Sequence, residues 1–344
     1  MSDFSARLIR WQRRHGRHKL PWQGADAYRV WLSEIMLQQT QVATATPYYL
    51  RFVARFPDVS ALAAASEDEV LAHWSGLGYY SRARNLHRAA QIIMRQRGGR
   101  FPENFDDILA LPGVGRSTAA AIGVFAFQQR RAILDGNVKR VLARYFAVAG
   151  YTGEKKIEAQ LWRKAEGLLP EQDLAGYTQG LMDLGALVCT RGKPQCAVCP
   201  LHEECAAYRN GQVMQLPTPR ARKALPEKHS TFLLLLNGAD ILLEKRPATG
   251  IWGGLWCLPQ MDGAPGKDHC GIRQYGVDAA QAHALPAFTH TFTHFRLHIT
   301  PLLWRLPVKP GQSQEPAKVW LCVEEAMRAA IPSPVRKLLH QITV

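Results

Sequence analysis

Four cysteines, Cys189, Cys196, Cys199 and Cys205, stand within 17 consecutive positions of a 344-residue chain that holds seven in all. Their spacing is C-x6-C-x2-C-x5-C. Four thiolates so arranged suit an iron–sulfur cluster, while one C-x2-C knuckle also suits zinc, and thiols without a ligand are the third reading. His202 is either a substitute zinc ligand or a solvated imidazole. Arg191 and Lys193 lie between the first two cysteines, so a folded loop here would present cations, more like a staple shaping a nucleic-acid surface than a redox device.

Two carboxylates carry a second chemistry. Glu34 lies in VWLSEIMLQQ, and three of its helical neighbours at three and four positions, Val30, Trp31 and Leu37, are apolar. An apolar setting would hold a carboxyl protonated near neutrality, ready to act as a general acid; a solvent-facing glutamate at the edge of the stripe is the alternative. Asp135 precedes Gly136-Asn137-Val138, where an aspartate caps a helix or turn. A capping aspartate is expected to stay ionised. One protonated and one charged carboxyl form the pairing that cleaves a glycosidic bond through an oxocarbenium-like state.

Leu111-Pro112-Gly113-Val114-Gly115 places two glycines around one apolar residue, between two helical patterns. Such a turn is either a plain helix–helix connection or, with the next helix N-terminus, a seat for a DNA phosphate. LQQTQV and GLGYYSRARN are rich in amides, aromatics and arginines. Gln38, Gln39 and Gln41 could bond base edges, and Tyr79 or Tyr80 could stack on bases or simply pack at a helix start.

The elements that must position these residues fall into two regions. Residues 1–212 read as an all-α catalytic domain, with helical periodicity from Phe4 to about Arg209. Residues 213–228 combine proline with basic residues and read as a linker. Residues 229–344 read as an α+β domain: TFLLLL and ILLEK flank NGAD as a hairpin, FTHTFTHFRLHI and KVWLCV read as strands, and EEAMRAAI and SPVRKLLHQI as helices.

The formal charge of +15 is concentrated in the first region: through Lys228 there are 32 Lys and Arg against 20 Asp and Glu, and beyond it 11 against 8. A basic surface of this kind favours nucleic acid. The N-terminus has no apolar core of signal-peptide length and no window approaches a membrane span, so a cytoplasmic protein is expected, with no membrane association. In a reducing compartment the cysteines point to a metal site rather than to disulfides.

LPWQ, WLSEIMLQQTQV, GLGYYSRARNLH, LPGVGRSTAAAI, LDGNVKRVLAR, MDLGALVCT and the four-cysteine loop, in this order, resemble the helix–hairpin–helix DNA glycosylases over roughly Leu20 to Tyr208; the whole chain resembles the MutY-type adenine DNA glycosylase family. That resemblance implies a multidomain fold: an all-α helix–hairpin–helix glycosylase body with six-helix and cluster subdomains, plus a Nudix-like α+β C-terminal domain. It implies a 4Fe–4S cluster on Cys189, Cys196, Cys199 and Cys205, and removal of adenine mispaired with 8-oxoguanine or guanine in duplex DNA. It makes Glu34 the acid that protonates adenine N7, Asp135 the carboxylate that offsets the oxocarbenium ion, and Asn137 its support. Trp22 and Asp183 fall where the adenine pocket is built; Gln39, Thr40, Leu77 and Tyr79 fall where the lesion pair is gripped and wedged. Phe292, Thr293 and His294 match the lesion-sensing loop, with threonine where the family usually has serine.

Members that also cut the strand carry a nucleophilic lysine at the position of Ser117, so a monofunctional enzyme leaving an abasic site is expected. GIWGGLWCLPQ matches the opening loop of a Nudix-like module. MDGAPGKDHCGIRQYG after it carries no run of glutamates, which implies binding without hydrolysis. One chain is expected to suffice. The alternatives are a strand-cleaving enzyme of the same fold acting on oxidised pyrimidines, a non-catalytic cluster-bearing DNA sensor, and a nucleotide hydrolase in the C-terminal domain.

Overall fold

The structure is a computed structural model and describes residues 3–220, 224–263, 275–309 and 317–343. It divides into two compact units: residues 1–64 with 85–222, and residues 65–84 with 223–344. The boundary at 222 and 223 lies within the segment 213–228 read as a linker; the segment 65–84 is the difference from a division by sequence order. Regular turns continue through Cys205 to Leu216, β structure starts at Glu227, and a helical segment between Ala65 and Arg84 is counted with the C-terminal unit.

The helices of the first unit are α1 (Asp3–His15), α2 (Ala27–Leu37), α3 (Val42–Arg55) and α4 (Val59–Ala64), then, after α5 (Glu67–Trp74) of the second unit, α6 (Ser81–Arg97), whose first turn lies in the second unit. They continue with α7 (Phe105–Leu109), α8 (Arg116–Phe127), α9 (Gly136–Tyr145), α10 (Lys155–Gly167), α11 (Leu174–Asp183) and α12 (Ala206–Arg209). α11 runs on into a π-helical turn, Leu184–Val188, at the approach to the cysteines.

Local chemistry sets the ends of these helices. Asp26 caps α2 by accepting from the Arg29 N–H at 2.9 Å, and Asn104 caps α7 by accepting from Asp106 at 2.8 Å. α2 has almost no polar face: Tyr28, Val30, Trp31, Leu32, Ile35 and Met36 are all buried, so it runs through the interior. α1, α9, α10 and α11 share one core built on Phe4, Leu8, Val138, Leu142, Leu161 and Tyr177.

Among the described residues the second unit holds an eight-stranded mixed sheet of β1 (Glu227–Asn237), β2 (Asp240–Lys245), β3 (Trp256–Cys257), β4 (Gln260–Asp262), β5 (His283–Ala284), β6 (Phe288–Thr291), β7 (Arg296–Arg305) and β8 (Lys318–Cys322). Its helices among the described residues are α5, α13 (Val323–Arg328) and α14 (Ser333–Thr343). β1 and β7 are parallel from Glu227↔Arg296 to Leu236↔Arg305, and β1 turns into β2 through Asn237↔Asp240, where the sequence places a hairpin. Ser230 to Leu236 are buried continuously, the pattern of a strand covered on both faces. The run MDGAPGKDHCGIRQYG lies largely outside the described residues, 264–274 being among those not described, so the question of a glutamate-bearing metal helix there stays with the sequence.

α5 and its flanks are fastened to the rest of this unit by polar contacts. Asp68 receives Lys245 Nζ at 2.6 Å and Trp256 Nε1 at 3.3 Å. Ser75 Oγ donates to the Ile331 carbonyl at 2.8 Å and accepts from Arg336 Nη2 at 3.1 Å, and Arg84 Nη1 donates to the Gly253 carbonyl.

Candidate active site and cysteine cage

Glu34 sits on buried α2 and lines a cavity of about 390 Å³, within the range of ligand pockets, roughly 300–1,000 Å³. Trp22, Val30, Leu37, Val42 and Met182 give this cavity apolar walls, and Gln12, Arg17 and Gln179 give it polar ones. The residue is half-buried, meeting the cavity on one side and protein on the others. Desolvation, and then the neighbouring charge of Asp135, push its carboxyl up to about 8. That electrostatic coupling brings together two acids 101 positions apart in the chain.

Asp135 is the N-cap of α9. Its Oδ1 accepts from the Val138 N–H at 2.7 Å and its Oδ2 from Asn137 Nδ2 at 3.2 Å. Burial raises this carboxyl above its ordinary range; the N–H donors, the Arg140 charge and the Asn137 amide act in the opposite sense without cancelling it. The cap supplies donors that favour the Asp135 anion, while burial of the helix start works against it and sets the direction of the shift. The hydrogen bonds that Asp135 receives favour its anion, whereas desolvation and the Asp135 charge both raise Glu34, so Glu34 is the better placed of the two to carry a proton.

Asn137 links this pair to the cysteine loop. Arg140 Nη2 donates to Asn137 Oδ1 at 2.8 Å and to the Gly185 carbonyl at 2.6 Å, and its Nε donates to the Cys189 carbonyl at 2.7 Å. One turn on, Arg144 Nη1 contacts Cys189 Sγ at 3.3 Å and donates to the Thr190 carbonyl at 2.8 Å. Neither arginine stood out in the sequence, although both recur at helical spacing from Asn137. The π turn lies so close to α9 that a Cβ on Gly185 would meet Asn137 Cβ at 2.6 Å and Cα at 3.1 Å. Gly185→Ala is therefore expected to push the first turn of α9 aside, lowering stability by about 1–3 kcal/mol. Thermal melting checks the loss, and an unchanged melting curve with unchanged catalysis would count against this reading of the contact.

Asp183 is fully buried and does not line the cavity; it holds residues that do. It accepts from the Arg17 N–H at 2.8 Å, from Arg17 Nε at 2.7 Å and from Gln179 Nε2 at 2.8 Å. Trp22 is buried in the wall, edge-on to Tyr49.

Beside α2, Gln38 Nε2 donates to Thr118 Oγ1 at 3.3 Å, tying the end of α2 to α8; Gln39 is exposed with φ +58°, and Thr40 is half-buried. Gly113 takes φ +79° in the turn before α8, a conformation that favours glycine. Gly115 has an ordinary φ but open space where a side chain would stand, so the α8 N-terminus is uncovered. Ser117 Oγ is occupied in accepting from the Leu134 N–H at 3.0 Å.

All four clustered cysteines line one cavity with Arg144, Leu184, Leu201 and Tyr208. Among the described residues no group of three or more His, Cys, Asp or Glu is gathered as the ligands of a single metal ion. Four thiols lining one space are a donor set that could hold a thiolate-ligated metal centre.

In the second unit Tyr79, Trp252, His290, Phe292, Thr293 and His294 line a cavity of about 450 Å³. Phe292 stacks on Phe295 with centroids 4.4 Å apart and lies 5.4 Å from Trp252, while Thr293 and His294 are exposed. Tyr79 is 44% exposed; Leu77, expected as a wedge, is 7% exposed and packs into the fold. Trp252 and His290 were not singled out from the sequence; Trp252 stands inside GIWGG, and its φ of +55° marks it only once the backbone is known.

This site and fold define the class: the model of the HhH-GPD superfamily base excision DNA repair protein family matches residues 32–166, and that of the NUDIX domain matches residues 231–341. A thermostable thymine-DNA glycosylase structure superposes with a TM-score of 0.55 at 30% identity, covering 60% of this chain and 95% of that one. An adenine DNA glycosylase of Buchnera aphidicola subsp. Acyrthosiphon pisum is 38% identical over 339 residues, 98% of this chain and 97% of the relative. The adenine DNA glycosylase of Homo sapiens is 32% identical over 408 residues, 99% of this chain and 74% of the relative. The chain belongs to the adenine DNA glycosylase family and is a DNA glycosylase enzyme. Among the described residues no helix is long and apolar enough to cross a membrane.

Proposed function

We propose that this chain excises adenine mispaired with 8-oxoguanine, and with guanine, from duplex DNA, as a monofunctional glycosylase working as a single chain in the cytoplasm. The observation that carries the reading is a proton-holding Glu34 at the wall of a base-sized cavity, coupled to a hydrogen-bonded Asp135. Adenine flipped from the stack enters this cavity against Trp22. Glu34 gives its proton to N7, the C1′–N9 bond breaks with its electrons going to the base, and Asp135 offsets the positive charge left on the sugar. Water, deprotonated by the resulting Glu34 carboxylate, adds at C1′ and completes hydrolysis, directly or after capture by Asp135. Asn137 holds Asp135 in position.

Cys189, Cys196, Cys199 and Cys205 would hold a 4Fe–4S cluster, which serves there to fasten the loop. Gly113, Gly115 and the open start of α8 would seat a phosphate, and Gln38, Gln39 and Thr40 would face the bases. Leu77 and Tyr79 would contact the opened pair, Leu77 only after moving from its buried position. Phe292, Thr293 and His294 would read 8-oxoguanine.

The test is single-turnover release of adenine from duplexes holding A:8-oxoguanine, A:G or A:T. Release from the first two and not the third is expected; no release from A:8-oxoguanine would end the proposal. Borohydride treatment during turnover is expected to trap no protein–DNA adduct, because the Ser117 hydroxyl cannot form a Schiff base. A trapped adduct would mean that another amine is the nucleophile.

A further inference from the structure

Arg82 lies in the first turn of α6 and is 8% exposed, an unusual position for a guanidinium. Burial of this charge is costly unless its donors find acceptors. Its Nη2 donates to the Gly78 carbonyl at 3.1 Å and reaches the Leu77 carbonyl at 3.4 Å. Its guanidinium carbon lies 5.3 Å from the centre of the Trp74 ring and 5.6 Å from that of Tyr79. Trp74 Nε1 donates to the same Gly78 carbonyl at 3.2 Å. Arg82 thus engages the carbonyls of the turn and the ring that the turn presents.

That turn needs such support. Gly76, Gly78 and Tyr79 all have positive φ, at +105°, +73° and +48°. For a tyrosine, left-handed backbone carries strain of roughly 1–3 kcal/mol, which persists only where surrounding structure imposes it. Tyr79 nevertheless keeps 44% of its surface exposed and lines the same cavity as Phe292, Thr293 and His294.

We infer that Arg82 is a positioning residue: it clamps the Leu77–Tyr79 turn so that the Tyr79 ring is held, preformed, where it meets the lesion-containing pair. The inference rests on the function proposed above and adds a determinant of pair opening that touches no DNA itself. Methionine at this position keeps bulk and loses both the carbonyl bonds and the cation–π contacts; lysine keeps the charge but not the planar fork.

The experiment uses the full chain with its metal content verified. Single-turnover adenine release is measured on an A:8-oxoguanine pair in intact duplex, and on the same pair flanked by mismatches that leave the stack already open. Arg82→Met is expected to slow release from the intact duplex by about tenfold or more, the size of the lost cation–π and hydrogen-bond contacts. On the opened substrate it should act within about threefold of wild type. In a Tyr79→Ala background Arg82→Met should add little, since both act through one ring. Where Arg82→Met does not fold, Arg82→Lys takes its place, with the same substrate dependence expected. Equal losses on both substrates, no loss on either, or independent losses for Arg82 and Tyr79 would each overturn the inference. Wild-type enzyme that releases no adenine from either duplex would instead overturn the proposed function and this inference with it.

Discussion

Glu34→Gln is expected to lower single-turnover adenine release by about 10²–10⁴-fold, the range for removing a general acid. Gln is near-isosteric and leaves the cavity intact, but it has no proton to give. Substrate binding should stay near wild type. For the wild-type enzyme the reactive form has Glu34 protonated and Asp135 ionised, so release should be level just below about 8, where Glu34 titrates, fall by about tenfold per pH unit above it, and fall again at acid pH as Asp135 takes up a proton. Glu34→Gln should lack that alkaline limb.

The same group has a cost in stability whose sign is fixed. Its folded-state pKa lies above the unfolded value of about 4.3, so its favourable contribution is full below that value and is lost as pH rises through about 8. Glu34→Gln should therefore melt above wild type at pH 9, by roughly 1–2 kcal/mol after allowance for the cavity-facing side. The difference should shrink toward pH 5. Full activity in Glu34→Gln, or a wild-type profile with no decline above about 8, would remove Glu34 from the chemistry.

The second large effect concerns the cysteine cage. Cys199→Ser is expected to abolish iron and sulfide retention, with loss of the broad absorbance near 400 nm that such clusters show, roughly. The reason lies in what a cluster would do in the space that the four cysteines line. Leu184, Leu201 and Tyr208 close the cavity around them, and the backbone from Cys189 to Cys205 has only short turns of its own. A structural centre in such a loop supplies folding free energy directly, of order 10 kcal/mol in small metal-binding domains.

Removal should also reach the chemistry. Arg140 spans Asn137 and the Cys189 carbonyl, so a loosened loop frees the guanidinium that supports Asn137 beside Asp135. Adenine release and the melting temperature are expected to fall together. A Cys199→Ser protein with unchanged iron content would refute the assignment of this thiol as a ligand, and zinc in place of iron in the wild type would refute the cluster.

Parts of this molecule are legible in the sequence because they depend on near neighbours. The apolar surroundings of Glu34 follow from helical spacing in VWLSEIML, the cap at Asp135 from Asp-Gly-Asn, and the β1–β2 hairpin from NGAD between two apolar runs. The change from helical to strand periodicity after Leu216 marks the two kinds of fold. The four cysteines and their spacing stand in one loop, so their chemistry is local as well.

Other features depend on residues far apart in the chain. That Glu34 feels the charge of Asp135, that Asp183 serves by holding Arg17 and Gln179, and that Arg140 ties Asn137 to Cys189 are consequences of helices packed across a common core. The upward shift of Asp135 is of the same kind: Asp-Gly-Asn announces donors to a carboxylate, but only packing decides how much water that carboxylate loses, and here the loss wins. Leu77 and Tyr79 make the contrast sharpest. Two residues apart in one motif, they read alike as wedge candidates, yet the fold buries the first and exposes the second, the backbone between them passing into the left-handed region at Gly78 and Tyr79. Spacing along the chain determined which residue types stand ready; long-range packing decided which of them lose water, meet a partner or face solvent.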